Sequence, residues 1–488
     1  MDQSIQKALY VILISLGLAL VFNFLFFGKL IGVSVFIFAV ILLGAVFLFG
    51  RAENVSIQKV GWMVLFIGFF ASMPSFLDNV FLSILNIFAI LGLLVLLAHE
   101  LVGTPVFLMR FKDYIVMAVT VPLKMLIRAV QSIALLGQIH SKVKEHDVWL
   151  RVAKGVVLAL PILIIFGLLF SSADLAFSQF VNSIVYIDPS ERTMQYIFLL
   201  FVAFLSALGF LSYIFFPKPG DQALPDQQPI AATGSDRGIE VLVALSLVSI
   251  LFLLFIGFQV AYLFGGETNV VNAGFTYAEY ARRGFFELLV VGMLSLLVLL
   301  VSEKFAGVES KKDNRFLFPA LVLIAEVVIV IISAFKRLSL YIDAYGMTML
   351  RFYVAAFIGL LLVWFILLAI KFIKTKREEF YTFSGLISIA LFLVVMNLVN
   401  PDAFIARYNL EQYNQNGKID ASYIRELSAD ATPVVIEMYN KVDVADKEIM
   451  REILQKQKEA LETHQDNWQS MNLSRARALK LLQQEFGE

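Results

Sequence analysis

Runs of about twenty apolar residues, separated by short polar stretches, repeat along the chain from residue 8 to residue 398. A run of this length crosses the hydrocarbon core of a bilayer as an α-helix, because lipid offers the backbone no hydrogen-bond partners. The pattern therefore predicts an all-α, polytopic helical membrane protein. About eleven spans are expected, at 8–27, 30–49, 58–75, 79–98, 152–171, 195–216, 238–264, 285–302, 316–334, 351–372 and 381–398.

The segment 100–151 breaks this pattern. It is rich in lysine and arginine, and Pro122 and two basic residues interrupt its apolar stretch 113–136. We expect an amphipathic region along the cytoplasmic face, since cytoplasmic loops are enriched in basic residues. This choice predicts a cytoplasmic N-terminus and an extracytoplasmic C-terminal tail in the cytoplasmic (inner) membrane. If 113–136 spans the membrane instead, every later loop changes side.

The spans fall into two halves. Residues 1–216 form the first half, a Pro-rich cytoplasmic linker follows at 217–237, and residues 238–399 form the second half. From residue 400 to residue 488 the chain becomes polar with helical periodicity, which predicts a small helical extramembrane domain. The inverted repeat of many secondary transporters is not evident between the halves.

Composition narrows the chemistry. Hydrophobic residues make up 59% of the chain and charged residues 16%, with 39 basic against 39 acidic side chains. A net charge of zero argues against nucleic acid as a partner, and the absence of cysteine excludes disulfides and thiol chemistry. His99-Glu100 lacks the second histidine of a zinc-binding helix, and nucleotide-binding motifs are absent. We predict no metal site and no cofactor.

Three polar clusters fall at span ends that the predicted topology places on one outer face: 277–287, 336–351 and 400–412. Arginines on the translocated side oppose the usual charge bias, so they require a structural or ligand-binding role. In the second cluster, three residues spaced by four share one helical face. The candidate ligand-binding residues are Glu279, Arg282, Arg283, Arg337, Tyr341, Tyr345, Arg351 and Arg407.

Each cluster also has a purely structural interpretation. Glu279 and the two following arginines form local ion pairs at a helix entrance. Tyrosines at a membrane interface belong to the usual aromatic belt. Asp402 and Asp430 each stand near a helix start, where a carboxylate ordinarily caps the helix.

Two further carboxylates lie within predicted spans. Glu287 follows one turn inside the eighth span and Glu326 stands near the middle of the ninth. An intramembrane carboxylate is costly and marks a cation or proton site unless a neighbour satisfies it. Both residues are candidates for ion coupling, and hydrogen bonding between helices is the structural alternative.

The polar clusters also resemble a family of bacterial multi-pass membrane proteins, the domain of unknown function family 4173, which is related to family 4153. The resemblance covers roughly residues 160 to 480. It implies a membrane location but neither an activity nor catalytic residues. The matching segments are Ala281-Arg-Arg-Gly-Phe-Phe-Glu-Leu, Tyr345-Gly-Met-Thr-Met-Leu-Arg and Asn400-Pro-Asp-Ala-Phe-Ile-Ala-Arg-Tyr-Asn.

Three functional hypotheses follow. The leading one is a non-enzymatic envelope protein that binds a small anionic or lipid-linked ligand, or an envelope protein partner, at the outer-face residues. The second is an ion-coupled transporter that uses Glu287 and Glu326. The third is a membrane transferase for a lipid-linked or anionic substrate with Glu279, Asp343 or Asp402 as base, although no catalytic motif is evident.

Overall fold

The computed structural model describes residues 3–52, 58–137, 170, 174, 177, 191–218, 221, 238–263, 285–306, 314–374, 377–417, 421–463 and 467–487. Over these residues the chain forms sixteen α-helices and no strand, which confirms the predicted all-α class. The helices are α1 Gln3–Phe26, α2 Val33–Ala52, α3 Gly61–Ser72, α4 Val80–Leu101, α5 Phe111–Gly137, α6 Glu191–Phe215, α7 Gly238–Leu263, α8 Phe285–Phe305, α9 Asn314–Tyr345, α10 Met349–Ile373, α11 Glu378–Val399, α12 Pro401–Asn416, α13 Ala421–Arg425, α14 Thr432–Tyr439, α15 Val444–Thr463 and α16 Leu473–Phe486.

Among the described residues, ten helices are long and apolar enough to cross a membrane, namely α1, α2 and α4 to α11. The predicted span 58–75 contains only the twelve-residue α3, flanked by 3-10 turns at Gln58–Val60 and Met73–Ser75. The predicted span 152–171 lies outside the described residues, apart from Phe170. The other predicted spans are helices, and the multi-pass membrane class is confirmed.

The helix bundle has two ends. At the tail end, the loops after α1, α3 and α9 contact the C-terminal tail, which comprises residues 400–487: Val33 bonds to Met471, Asp78 to Asp430, and Met347 to Asn409. At the opposite end, the ammonium of Lys7 lies 5.4 Å from the ring of Phe216, and His99 meets Tyr213 at 3.1 Å. The start of α1 and the tail therefore lie at different ends.

Polar pairs join helices that are distant in sequence. Asn86 of α4 and Asn397 of α11 exchange two side-chain hydrogen bonds of 2.8 Å and are both buried, which ties the first half of the chain to the second. Buried amides are stable only when paired in this way. The last helix before the tail is thereby fixed against α4 near the tail end.

Helices α7 and α9 run side by side in the same direction. Ser249 bonds to Glu326 and Gln259 bonds to Ser333, at sequence separations of 77 and 74 residues. Because the sequence separation of the bonded pairs stays nearly constant, α7 and α9 run in the same direction, and α8, which lies between them in the sequence, runs in the opposite direction. The consequence is a polar seam inside the membrane domain.

The tail packs its own small core. Its helices are amphipathic, and α15 alternates charged exposed positions with buried apolar ones. Two i,i+4 ion pairs decorate the exposed surface, Lys441 with Glu437 and Lys456 with Glu452. The core residues of the tail include Val435, Met438, Met450, Leu454 and Leu482.

Candidate functional site

Residues 277–284 of the first predicted cluster lie outside the described residues. Glu279, Arg282 and Arg283 precede α8, which begins at Phe285. The predicted local ion pairs between them stay predictions. The second and third clusters are both described.

Arg351 of the second cluster is buried, with 7% of its surface exposed. Its guanidinium donates hydrogen bonds to the carbonyl oxygens of Tyr345, at 3.0 Å, and of Gly346. These carbonyls belong to the C-terminal end of α9, where helical carbonyls lack intrahelical partners. Arg351 therefore satisfies the end of one helix from the first turn of the next.

The same guanidinium stacks on two aromatic rings. Its central carbon lies 4.1 Å from the ring centre of Tyr341 in α9 and 5.5 Å from that of Tyr423 in the tail. Such cation–π contacts contribute about 0.5–2 kcal/mol each. Arg351 thus links the α9–α10 hairpin to the tail, with Tyr345 packed edge-on against Tyr341.

Asn409 of the tail completes this junction, although it was not among the predicted site residues. Its side-chain oxygen accepts from the amide of Met347 at 2.8 Å, and its nitrogen donates to the Met347 carbonyl at 2.9 Å. Gly346 ends α9 with φ +78°, and a Cβ there would stand 3.0 Å from the oxygen of Asn409. The hairpin and the asparagine therefore require glycine at this turn.

Other residues of these clusters, Asp343, Tyr345 and Arg407, are exposed. Asp343 accepts a hydrogen bond from the hydroxyl of Tyr408 at 2.8 Å. Burial, together with Asp343, raises the pKa of Tyr408 to about 12. The second and third clusters thus contact each other, through the bond between Tyr408 and Asp343 and those between Asn409 and Met347.

Asp402 and Asp430 are both buried but do not cap their own helices, so that prediction was wrong. Asn400 caps α12 through the amide of Ala403, and Ser428 caps the 3-10 turn Ala429–Ala431. Sequence proximity to a helix start favoured the aspartates, but Asn400 and Ser428 occupy the N-cap positions and accept the amide hydrogen bonds there.

The two aspartates instead bind the loop before α4. Asp430 accepts from the amides of Asp78, at 3.0 and 3.1 Å, and of Asn79, at 3.2 Å. Asp402 accepts from the side-chain amide of Asn79 at 3.0 Å and from the amide of Ser428 at 3.1 Å. Orphan donors at the start of α4 are thus satisfied by the tail.

Three carboxylates share this junction, which we call the acidic junction: Asp78, Asp402 and Asp430. Burial raises the pKa of Asp430 to about 6, with smaller contributions from the other two carboxylates. Burial also raises the pKa of Asp402 and of Asp78, although Arg475 lies 3.0 Å from Asp78 and lowers it. In each case burial makes the ionised carboxylate less favourable than it is in water.

Glu326 is the buried carboxylate of the membrane domain. It is 4% exposed within α9, and both of its oxygens lie within 2.8 Å of the hydroxyl of Ser249. A single hydroxyl supplies one proton, so it cannot fully satisfy an ionised carboxylate. Among the described residues, no lysine or arginine forms an ion pair with Glu326.

The polar seam continues from Glu326 toward the tail end. Gln259 accepts from the hydroxyl of Ser333 at 2.8 Å and from the guanidinium of Arg337 at 3.0 Å, and all three residues are buried. Residues 326, 333 and 337 share one face of α9 and extend over about 16 Å. Arg337, predicted to bind a ligand at the outer face, lies inside this helix interface.

Toward the opposite end, the same helix is apolar. Phe316, Ala320 and Leu323 of α9 are buried in the hydrophobic core. Glu287, the other candidate for ion coupling, is exposed in the first turn of α8. In the part of the chain that the structure describes, no group of three or more acidic or histidine side chains could hold a metal ion.

The opposite end carries further ion pairs, between α5 and the segment after α6 and between α8 and α10. Asp221 pairs with Lys124 at 3.1 Å and with Arg128. Burial alone raises the pKa of Asp221, but the Lys218 amide and these two cations outweigh it and hold the pKa below its usual value. Lys371, 2% exposed, pairs with Glu303.

The ten long apolar helices and the docked helical tail define an integral, multi-pass membrane protein of the all-α class. A family model described as Domain of unknown function (DUF4153) matches residues 64–438, well over half of the chain. The chain belongs to that family. The match begins in the first half and ends within the tail, and the resemblance to family 4173 stays a prediction. Comparison with curated proteins and with solved structures finds no match.

Proposed function

We propose that the protein carries protons across the membrane and that Glu326 is the group that gains and loses the proton. The observation that supports this proposal is the environment of Glu326: 4% exposed within a span and bonded only to Ser249 among the described residues. An ionisable group at the centre of a transmembrane helix costs about 2.5–3.5 kcal/mol on insertion scales. Ionisable residues within transmembrane segments are therefore rare and are ordinarily functional.

A proton suits this site better than a metal cation. Glu326 and Ser249 present three oxygen atoms, whereas Ca²⁺ takes 6–8 oxygen ligands and Mg²⁺ demands an octahedron. A carboxyl group that exchanges its proton needs only one acceptor or water at a time. The hydroxyl of Ser249 provides a hydrogen-bond partner in either state.

The seam gives the site an asymmetric surrounding. Gln259, Ser333 and Arg337 lie between Glu326 and the tail end, whereas buried neighbours toward the opposite end, such as Leu245 of α7 and Leu323 of α9, are apolar. A carrier that alternates between two faces is closed on one side at a time. The described arrangement corresponds to a state whose polar side faces the tail.

For orientation, we propose the cytoplasmic membrane with the tail outside. The basic residues at the helix ends there, including Lys304, Lys371 and Lys374, favour a cytoplasmic location for the opposite end. Ligand binding at the outer face stays a prediction for Tyr345 and Arg407, which are exposed. The transferase hypothesis is weaker, because the candidate bases Asp343 and Asp402 already accept hydrogen bonds from protein groups.

The test uses the full chain in liposomes that contain a pH-sensitive dye. A potassium diffusion potential, negative inside, drives protons inward, and internal acidification is recorded. We expect the wild-type chain to acidify the lumen several-fold faster than empty liposomes, E326Q to match empty liposomes, and S249A to lie between them. The matched control is E240Q, which changes an exposed carboxylate in the first turn of α7 and leaves the seam intact.

Two results would overturn the proposal: a wild-type rate equal to that of empty liposomes, or an E326Q rate equal to wild type. A second readout separates loss of the proton site from loss of folding. Infrared difference spectra between acid and alkaline pH should contain a protonated carboxyl band that E326Q lacks and E240Q retains. If E326Q retains that band, Glu326 does not titrate.

A further inference from the structure

Helix α5 is long enough to cross the membrane, but its polar contacts indicate that it does not cross. It comprises 27 residues, Phe111–Gly137, and is therefore about 40 Å long. A crossing helix of this length would begin at one end of the bundle and finish at the other. The polar contacts of its two halves locate both at the same end.

The start of α5 lies at the opposite end of the bundle. The guanidinium of Arg110 bonds to Glu379 at 3.1 Å. Glu379 stands in the first turn of α11, whose last residue Val399 leads directly into the tail. The start of α11, and Arg110 with it, is therefore remote from the tail.

The second half of α5 returns to this same end. Gln131 accepts from the ammonium of Lys218 at 2.8 Å, and Lys124 pairs with Asp221 at 3.1 Å. Both partners follow the last residue of α6, where Phe216 meets Lys7. Residues 110 and 131 are about 31 Å apart along the helix, yet they touch the same end.

The two faces of α5 differ. Met117 and Val121 are buried against the bundle. On the other face an apolar stripe is exposed, formed by Phe111 (64%), Ile115 (54%), Val119 (60%) and Leu123 (42%). Lys112 is exposed beside the stripe. A helix with a basic margin and an exposed apolar face is typical of the lipid headgroup boundary.

We propose that α5 lies in the plane of the membrane at the opposite end, with the stripe from Phe111 to Leu123 in the acyl chains just below the headgroups and Lys112 at the phosphates. The occupant of this apolar face is thus the lipid of one leaflet. Three observations support lipid rather than protein: the stripe is continuous, a cation flanks it, and it lies at the end where the spans finish. This inference does not depend on proton transport.

An in-plane α5 also joins the two halves of the chain. It connects α11, through Arg110, with the segment after α6, through Lys124 and Arg128. The helix therefore contributes no crossing to the topology. The number of spans before α6 then excludes α5, as the basic residues of its sequence favour.

Because the chain has no cysteine, single spin-label sites can be introduced without removing native thiols. Labels at Phe111, Ile115 and Val119 are compared, in lipid nanodiscs, with labels at Ile84, Phe88 and Leu91 of α4, which are 45%, 67% and 53% exposed. Collision rates with oxygen, which concentrates in the bilayer, and with a water-soluble nickel complex report the depth of each label.

We expect the three α5 labels to share one shallow depth, within about one helical turn of 5 Å. The α4 labels should change depth by about 10 Å between positions 84 and 91, as a crossing helix requires. A change of about 12 Å between positions 111 and 119, passing toward the bilayer centre, would show that α5 crosses and would overturn the proposal. Exclusion of both reagents at all three α5 sites would identify a protein occupant, such as a second copy, and would overturn it equally.

Discussion

Replacing Asp430 with asparagine tests how the tail is held against the membrane domain. Asp430 is 5% exposed and accepts the backbone amides of Asp78 and Asn79. Its pKa is raised by burial from 3.8 to about 6. Docking of the tail therefore takes up a proton. The stabilisation of tail docking by protonated Asp430 is complete below about pH 4, is lost as pH rises through about 6, and is absent near neutral pH.

The magnitude follows from the shift. One pKa unit corresponds to 1.36 kcal/mol, so a shift of about two units makes docking about 3 kcal/mol more favourable at acid pH than at pH 8. That free energy corresponds to a factor of about 100 in the docking equilibrium. The raised pKa values of Asp402 and Asp78 act in the same direction. Asparagine at 430 cannot ionise, so D430N loses this share of the pH dependence.

Hydrogen exchange measures the effect when wild type and D430N are compared at the same pH, because the intrinsic exchange rates then cancel. The informative peptides contain the amides of Asp78 and Asn79 and the turn Ala429–Ala431. We expect the ratio of protection, D430N over wild type, to rise between pH 4 and pH 8 by up to about 100-fold. A constant offset from lost hydrogen bonds does not change with pH.

The control is E448Q, which removes an exposed carboxylate from α15; its ratio to wild type should not vary with pH. A D430N ratio that is independent of pH would show that Asp430 does not titrate on docking. A ratio that falls as pH rises would show that the amide donors stabilise the carboxylate more than burial destabilises it. Either result refutes the reasoning.

Three further substitutions test single contacts. N409A removes both hydrogen bonds to Met347 and should cost about 2 kcal/mol, measured as faster hydrogen exchange in the α9–α10 turn. E303Q leaves the ammonium of Lys371, 2% exposed, without its carboxylate and should cost about 3–5 kcal/mol in thermal unfolding in detergent, whereas replacing both residues with apolar ones should recover most of the loss. D221N should lower the thermal stability at pH 7. The difference in stability between wild type and D221N should shrink as pH falls below about 4, because the pKa of Asp221 is lowered in the fold and the carboxylate stabilises the fold only while it is ionised.

The membrane spans could be predicted because hydropathy depends only on local composition. Most predicted spans within the described residues are helices of spanning length; the exceptions are 58–75, which contains only the twelve-residue α3, and positions where a polar segment continues a helix. The ninth span was predicted to end at residue 334, but α9 continues to Tyr345. Its last three turns leave the apolar run and contact the tail directly through Asp343, and indirectly through Tyr341, which stacks on Arg351 of α10. Hydropathy cannot detect a helix that is stabilised by another domain.

The contacts of the acidic junction could not be predicted, because they join residues that are far apart in sequence. Asp430 and Asp78 are 352 residues apart, and Asp402 and Asn79 are 323 apart. Local reasoning assigned both aspartates to nearby helix starts, where Asn400 and Ser428 serve instead. A single sequence offers no signal that would pair the tail with the loop before α4.

Glu326 differs from these cases, because an intramembrane carboxylate is visible in sequence while its surroundings are not. The sequence located it near the middle of a span, and the structure adds Ser249 and the polar neighbours toward the tail end. Arg337 illustrates the reverse. It was assigned to the outer-face cluster from the sequence around it, and the structure buries it between α7 and α9 beside Gln259; its ligand-binding role stays a prediction.

The seam and the tail meet at one place. Arg337 stands one helical turn before Tyr341, and Tyr341 stacks on the guanidinium of Arg351, whose other aromatic partner, Tyr423, belongs to the tail. Under the proposed function, a proton that travels along the seam to Glu326 enters beside this stack. The tail is held there by Asn409 and, on the first half of the chain, by the acidic junction. The same tail domain therefore contacts both the tail-side end of the polar seam and the first half of the chain. A change in tail docking must alter both sets of contacts together.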